Sequence, residues 1–151
     1  MIYLSLIASS VVVIDRLTKH FFCSNLSRGQ SIKIIPGIFH LTLVFNTGSA
    51  FGLFKEGNLF FIITSILVIT LIIFIYCLRR CHYKDMVVIA AFGLISGGAI
   101  GNLIDRVLFG YVIDFLDFRV WPVFNIADSA ITAGAVLLAV KILFNKKCYT
   151  T

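Results

Sequence analysis

The sequence predicts a membrane α-helical protein with four transmembrane helices and a small extracytoplasmic β-sheet. Hydrophobic residues make up 60% of the chain and charged residues 13%, against roughly 45–50% and about 25% in soluble domains. Several apolar runs approach the roughly 20 residues that a spanning helix needs. Many basic residues stand directly beside these runs, as expected of residues that set membrane topology. With 151 residues, residues 1–151 are expected to form a single integral membrane domain.

Four segments are predicted to span the membrane: residues 2–22, 59–78, 86–104 and 128–144. The second has no charged residue, and Lys141 near the end of the fourth is able to snorkel to the surface. The first is apolar only as far as Ile14 and then carries Asp15, Arg16 and Lys19. It is not expected to be a signal peptide, because it lacks a basic start and a small-residue cleavage site.

The positions of the basic residues predict the orientation of the chain. They flank the link between the second and third helices and the end of the fourth, at Arg79, Arg80, Lys84, Lys146 and Lys147. Short basic flanks remain cytoplasmic. Both termini are therefore expected in the cytoplasm, and residues 23–58 and 107–126 outside. The net charge of +6 does not predict nucleic-acid binding, because the basic residues form no single face.

The outer connections are predicted to contain the sheet, over about residues 31–54 together with 107–126. Residues 31–54 alternate β-branched and aromatic residues around Pro36 and Gly37, and the segment from Phe39 to Phe45 is typical of a strand. Residues 46–48 (Asn-Thr-Gly) indicate a turn. Residues 111–118 predict a second short strand.

The four cysteines predict neither a disulfide framework nor a metal site. Cys77 and Cys81 are four residues apart, and His82 follows, but no second cluster of suitable ligands exists. We therefore expect free thiols and no bound metal.

Polar residues are predicted to meet at one level near the outer interface. Asp15 and Lys19 share one helical face, and Asn102, Asp105 and Arg106 share another. Gly93, Gly97 and Gly101 recur every four residues, so a neighbouring helix can approach closely. We interpret Asp15–Lys19 as a structural ion pair and Arg106 as a clamp on a nearby carboxylate. Asn46, Asn102 and Asn125 are either hydrogen-bond linkers or groups that bind a substrate backbone.

Asp114 and Asp128 are the candidate catalytic pair. Ionisable groups in a membrane are costly and are rare unless they have a function. Asp114 is embedded in apolar residues with no adjacent basic residue. Capping of a helix N-terminus is an alternative role for Asp128, but it does not explain Asp114. Asp117 is a weaker third candidate, and Asp105 is disfavoured by the adjacent Arg106.

The chain resembles the lipoprotein signal peptidase family, also called signal peptidase II. The resemblance rests on five ordered motifs that together cover nearly the whole sequence: residues 15–19 (DRLTK), 45–51 (FNTGSAF), 98–106 (GAIGNLIDR), 112–115 (VIDF) and 124–131 (FNIADSAI). It implies four transmembrane helices with an outer β-cradle and places the catalytic pair on Asp114 and Asp128. Residues implied to support the site or to bind substrate are Asp15, Lys19, Asn46, Gly48, Ala50, Phe51, Gly98, Asn102, Asp105, Arg106, Asn125 and Ala127.

The resemblance also implies an activity and a place in the cell. The family cleaves the signal peptide of bacterial prolipoproteins just before a diacylglyceryl-modified cysteine, with no metal or other cofactor. We expect a monomer in the bacterial cytoplasmic membrane, in contact with membrane lipid, with its active site near the outer leaflet. A small proton-coupled transporter is the main alternative, but its acids would lie near the midplane. A non-catalytic assembly factor would not explain Asp114, and the Gly-x-Gly-Asp signature of other intramembrane aspartic proteases is absent.

Overall fold

The computed structural model describes residues 2–48, 58–78 and 85–144, which form four α-helices and one three-stranded sheet. In chain order the elements are α1 (Ile2–Asn25), β1 (Ser31–Ile35), β2 (Phe39–Asn46), α2 (Asn58–Leu78), α3 (Met86–Phe109), β3 (Val112–Asp117) and α4 (Ile126–Phe144). The predicted strand at residues 39–45 and the predicted short strand within residues 111–118 are both present. The part of the predicted sheet region at residues 49–54 lies outside the described residues.

Among the described residues, three helices are long and apolar enough to cross a membrane: α2 over Asn58–Ile75, α3 and α4. The helix α1 has 24 residues, but three charged residues interrupt its second half. Two of these, Asp15 and Lys19, are buried against the rest of the protein. Much of the apolar surface of α2 is exposed, as expected of a helix in contact with lipid.

Four predicted helix boundaries differ from the observed ones. The helix α1 ends at Asn25, three residues after the predicted end, and α2 begins at Asn58, one residue before the predicted start. The helix α3 continues past residue 104 to Phe109 and ends where Gly110 adopts a left-handed conformation with φ of 78°, which glycine adopts without steric cost. The helix α4 begins at Ile126, two residues before the predicted start, because the preceding residue, Asn125, caps it. The prediction followed apolar periodicity, which is least informative at helix ends.

The helix α3 lies at the centre of the bundle and packs against α1, α2 and α4. Its glycines permit this arrangement, as the four-residue spacing predicted. A Cβ atom at Gly97 would lie 2.7 Å from the carbonyl oxygen of Ala8 in α1, and one at Gly98 would lie 2.4 Å from the carbonyl oxygen of Ala127 in α4. The backbones of α1 and α4 therefore approach α3 more closely than any side chain at these positions would allow.

The sheet is antiparallel, in the order β1-β2-β3. Its register pairs Val44 with Asp114, and a bulge interrupts the pairing between Leu41 and Val44. The ring of Phe115 stacks on Phe22 of α1 with centroids 4.2 Å apart. This contact fixes β3 against the helix that carries the buried charges.

Candidate active site

The start of α4 is closed by a reciprocal pair of hydrogen bonds. The backbone N–H of Asp128 donates to Asn125 Oδ1 at 2.9 Å, and the backbone N–H of Asn125 donates to Asp128 Oδ2 at 3.3 Å. This is the geometry of a capping box. Asn125 is therefore the capping residue, and Asp128 supports it from the third helical position. The N-cap role that was an alternative for Asp128 therefore belongs to Asn125, and Asp128 contributes one carboxylate oxygen to the capping box.

Asp114 lies in the middle of β3 and is 2% exposed. Its carboxylate accepts hydrogen bonds from two side-chain amides: Asn46 Nδ2 at 3.0 Å and Asn125 Nδ2 at 2.7 Å. The predicted turn at residues 46–48 orients one of them, because Gly48 N–H donates to Asn46 Oδ1 at 3.1 Å. The Asn46 amide thus presents its NH2 group to the acid.

Two asparagines connect Asp114 to Asp128. Asn125 Nδ2, which donates to Asp114, also lies 3.1 Å from Asn102 Oδ1. Asn102 Nδ2 in turn donates to Asp128 Oδ1 at 2.8 Å. For Asn46, Asn102 and Asn125, the structure shows the hydrogen-bond-linker role that was one of the two predicted alternatives. Each carboxylate therefore receives at least one amide donor, and the two acids belong to one hydrogen-bonded network.

Burial, followed by the neighbouring charge of Asp128, raises the pKa of Asp114 to about 7, against the opposing effects of Asn46, Lys19 and Asn125. Desolvation disfavours the charged form of a carboxyl group, and a second carboxylate nearby has the same effect. Asp114 therefore holds its proton close to neutral pH, where an exposed aspartate is fully ionised.

A buried ion cluster lies beside the two acids. Lys19 Nζ is 2.8 Å from Asp15 Oδ2 and 2.7 Å from Asp105 Oδ2, and Lys19 is 1% exposed. The predicted Asp15–Lys19 pair is present, and Asp105 of α3 joins it. Arg16 pairs with the other oxygen of Asp105. The polar groups of α1, α3 and α4 thus meet at one end of the bundle, as predicted.

The structure does not show the predicted ion-pair clamp for Arg106. Within the described part of the chain, no carboxylate lies within 4.0 Å of its guanidinium. The guanidinium group lies instead over the ring of Phe61 in α2, 4.9 Å from the centroid. Its positive charge nevertheless interacts electrostatically with Asp128 and Asp114. Sequence reasoning missed Arg16 as the partner of Asp105. The DRLTK motif contains Arg16, but which helix it faces depends on packing.

The remaining predicted positions divide into three groups. Gly98 and Ala127 are in contact where α3 meets α4. Ala50 and Phe51 lie outside the described residues. Asp117 takes no part in the network of Asp114, because it accepts hydrogen bonds from Thr42 at 2.7 Å and from the backbone of Arg119 at 2.9 Å.

The described side chains include no group of three or more His, Cys, Asp or Glu residues that could hold a metal ion. The described side chains around Asp114 and Asp128 present carboxyl, amide and ammonium groups. Together, these features define a helical membrane protein with two amide-linked carboxyl groups, one buried and one half-buried, where its bundle meets its sheet.

Comparison with known proteins identifies the family. The sequence profile described as signal peptidase (SPase) II matches residues 7–144. The lipoprotein signal peptidase of Halothermothrix orenii is 44% identical over 128 residues, which cover 85% of this chain and 86% of the relative. That of Francisella tularensis subsp. novicida is 40% identical over 149 residues, covering 94% and 92%. The chain belongs to the signal peptidase II family.

Solved structures agree with this assignment. A structure described as a bacterial membrane enzyme determined by the in meso method at 2.3 Å resolution superposes with a TM-score of 0.84 and 34% identity, over 97% of this chain and 92% of that one. A second, described in the same words at 1.9 Å resolution, gives a TM-score of 0.82 and 34% identity, over 93% and 92%. These comparisons do not favour the transporter alternative.

Proposed function

We propose that this protein is an aspartic endopeptidase that removes signal peptides from bacterial prolipoproteins, with Asp114 and Asp128 as its catalytic pair. The observation that carries the proposal is the pair itself: the buried carboxyl group of Asp114 and the half-buried one of Asp128 lie in one amide network. Burial and the charge of Asp128 raise the pKa of Asp114 to about 7. The names of the relatives supply the substrate class, because lipoprotein signal peptidases act on prolipoproteins.

The proposed mechanism uses one proton shared by the two carboxyl groups. The ionised carboxylate takes a proton from a water molecule held between them, and the water oxygen attacks the scissile carbonyl carbon. The protonated carboxyl group donates a hydrogen bond to the developing oxyanion. When the tetrahedral intermediate collapses, the C–N bond breaks and the leaving nitrogen takes a proton from the pair. The two acids titrate as a unit, so the resting proton belongs to both.

We further propose that all four helices span the bacterial cytoplasmic membrane. Three have the length and composition to do so. For α1, Asp15 and Lys19 neutralise each other and are buried against α3, which lowers the cost of placing them in a membrane. Both termini are then cytoplasmic, and the sheet and site are near the outer leaflet. One chain supplies every group of the network described here, which supports a monomer.

This topology is tested by labelling single cysteines with a membrane-impermeant reagent, in a background lacking the four native cysteines. Positions 28 and 119 are expected to react from outside in intact cells, and positions 84 and 147 only after the cells are opened. Labelling of position 84 in intact cells would invert the proposed orientation.

Substrate recognition is proposed to depend on the lipid of the precursor. A diacylglyceryl group partitions into the bilayer at about 0.8 kcal/mol per buried methylene and brings the adjacent cysteine to the membrane surface. Part of that binding energy is available to position the scissile bond. Removal of the lipid should therefore reduce turnover as well as binding.

The function is tested with purified protein and a matched pair of precursor peptides, lipidated and unlipidated. The wild-type protein is expected to cleave on the amino side of the lipidated cysteine, to do so in the presence of metal chelators, and to leave the unlipidated peptide nearly intact. Asp114→Asn and Asp128→Asn should each abolish cleavage, because an amide keeps the shape of the acid but cannot exchange its proton. Asp117→Asn is the matched control, since it changes an acid of the same strand outside the pair.

The outcomes separate the parts of the proposal. Turnover at the wild-type rate in either Asp114→Asn or Asp128→Asn would contradict the assignment of these residues as the catalytic pair. Equal rates of cleavage of the two peptides would mean that the protein is a general membrane aspartic protease that does not recognise the lipid. Loss of activity with a chelator contradicts a metal-free mechanism.

A further inference from the structure

The buried ion cluster of Lys19, Asp15 and Asp105 is connected to both proposed catalytic residues in the same way. Lys19 Nζ lies between two carboxylates, 2.8 Å from Asp15 Oδ2 and 2.7 Å from Asp105 Oδ2. Asp15 and Asp105 are both 0% exposed. One ammonium group therefore joins α1 to α3 at a point that solvent does not reach.

Each of these carboxylates also holds the backbone immediately before a catalytic aspartate. Asp15 Oδ1 accepts a hydrogen bond from the backbone N–H of Ala127 at 3.1 Å, and Ala127 precedes Asp128. Asp105 Oδ2 accepts one from the backbone N–H of Ile113 at 3.2 Å, and Ile113 precedes Asp114. Lys19 is thus connected to each member of the pair through one carboxylate and one peptide group.

A third connection reaches the reacting groups more directly. Lys19 Nζ donates to Asn102 Oδ1 at 3.1 Å, and Asn102 Nδ2 donates to Asp128 Oδ1 at 2.8 Å. A cation that approaches the amide oxygen of Asn102 fixes the orientation of this amide, because the reversed amide would present its NH2 group to Lys19. The NH2 group of Asn102 is thereby kept on Asp128.

We propose that Lys19 is a positioning residue that sets the separation of Asp114 and Asp128, acting through Asp105 on one side and Asp15 on the other. The inference rests on the proposed function of the pair. It assigns the ion cluster a role in catalysis beyond holding α1 to α3. Two carboxylates must be close enough to share a proton and a water molecule, and a shift of about 1 Å is enough to cost on the order of 100-fold in rate.

The test compares two variants of the full-length protein with a matched control. Lys19→Met removes the bridging charge and keeps much of the side-chain volume. Asp105→Asn removes one arm of the bridge without leaving an unpaired buried carboxylate. The control is Lys141→Met, which breaks the ion pair with Asp85 that joins the N-terminus of α3 to α4.

The measurements are the melting temperature, kcat and KM for a lipidated precursor peptide, and the pH profile of kcat, each referred to the amount of folded protein. Lys19→Met and Asp105→Asn are expected to lower kcat about 10- to 100-fold and to change KM less than about twofold, because the acids act in the reaction step. The two apparent pKa values of the kcat profile should move closer together, since carboxylates that are farther apart interact less. Lys141→Met should lower only the melting temperature.

A purely structural ion cluster predicts a different result. The variants would then melt earlier, but their folded fraction would keep the wild-type kcat and the wild-type separation of apparent pKa values. That result in both variants overturns the proposal. If Lys19→Met does not fold, Asp105→Asn decides alone. The proposed function itself fails separately, when Asp114→Asn or Asp128→Asn retains cleavage.

Discussion

The substitution Asp114→Asn should abolish cleavage and, at alkaline pH, make the folded protein more stable. The reason is the pKa of Asp114. Burial, and after it the charge of Asp128, raises this pKa from 3.8 to about 7. Above pH 7 the native protein holds a buried, ionised carboxylate in an environment that favours the neutral acid. An asparagine side chain has the same shape and is never ionised.

The sign and the size of the effect follow from proton linkage. The folded pKa of Asp114 lies above the unfolded value, so the native state binds more protons between pH 4 and 7, and stability falls as the pH rises through this window. A difference of about three pKa units, at about 1.4 kcal/mol each, corresponds to about 4 kcal/mol in full, of which about 2–3 kcal/mol is lost between pH 5 and pH 8.

The amide also has a cost, because it replaces an acceptor with a donor. Asn46 and Asn125 both donate to Asp114, so the NH2 group of the new side chain must face one donor. Such a mismatch costs about 1–3 kcal/mol. The expected net gain at pH 8 is therefore about 1–3 kcal/mol.

The assay is thermal unfolding of the purified protein in one detergent at pH 5 and pH 8. The melting temperature of the wild type should fall between pH 5 and pH 8. Its decrease should exceed the decrease for Asp114→Asn by about 5–10 °C. Asp117→Asn is the control, and its effect on stability at neutral pH should have the opposite sign, a loss instead of a gain. Burial would raise the pKa of Asp117, but hydrogen bonds from Thr42 and Arg119 outweigh burial and hold it below the usual value, so that this acid stabilises the fold at neutral pH. Parallel pH dependence in the wild type and Asp114→Asn would refute the reasoning.

Two further predictions concern how the pair is held. Gly98→Ala should lower both stability and kcat, because its Cβ would lie 2.4 Å from a backbone carbonyl oxygen of α4, and such overpacking costs about 1–3 kcal/mol. Gly134→Ala makes a similar clash, at 2.7 Å, two turns further along the same interface, and should lower stability alone. Asn46→Ala should shift the pH profile of kcat to higher pH, because its hydrogen bond lowers the pKa of Asp114. Thr42→Val, which removes a hydrogen bond to Asp117, should leave that profile unchanged.

Each of these predictions has a result that contradicts it. Equal losses of kcat in Gly98→Ala and Gly134→Ala would mean that local spacing at Asp128 does not matter. A shift of the Asn46→Ala profile to lower pH would mean that Asn46 does not stabilise the ionised form of Asp114.

The sequence determined the architecture largely through composition and periodicity. An uncharged apolar run can be buried only in lipid or in a protein core, so α2 was recognisable from residues 59–78 alone. The strand at residues 39–45 followed from alternating β-branched and aromatic residues. The Gly93, Gly97 and Gly101 spacing predicted a close helix contact, because the four-residue period places small residues on one face.

The sequence also indicated the candidate site residues, because charged and amide side chains are conspicuous in an apolar chain. Asp114 and Asp128 stood out, since an acid surrounded by apolar residues has few ordinary explanations. The five motifs then pointed to the family, and the comparisons confirmed it.

Only the tertiary structure decided how these side chains are paired. The sequence favoured Arg106 as the clamp on a carboxylate, whereas Arg16 and Lys19 pair with Asp105. Helical phase shows that residues share a face, but it does not show which neighbouring helix that face meets or at what height. The hydrogen bonds that Asp15 and Asp105 accept from the backbone before each member of the pair join residues up to 112 positions apart in the chain. No local pattern carries such information, because the packing of α1 and α4 on the glycines of α3 creates it.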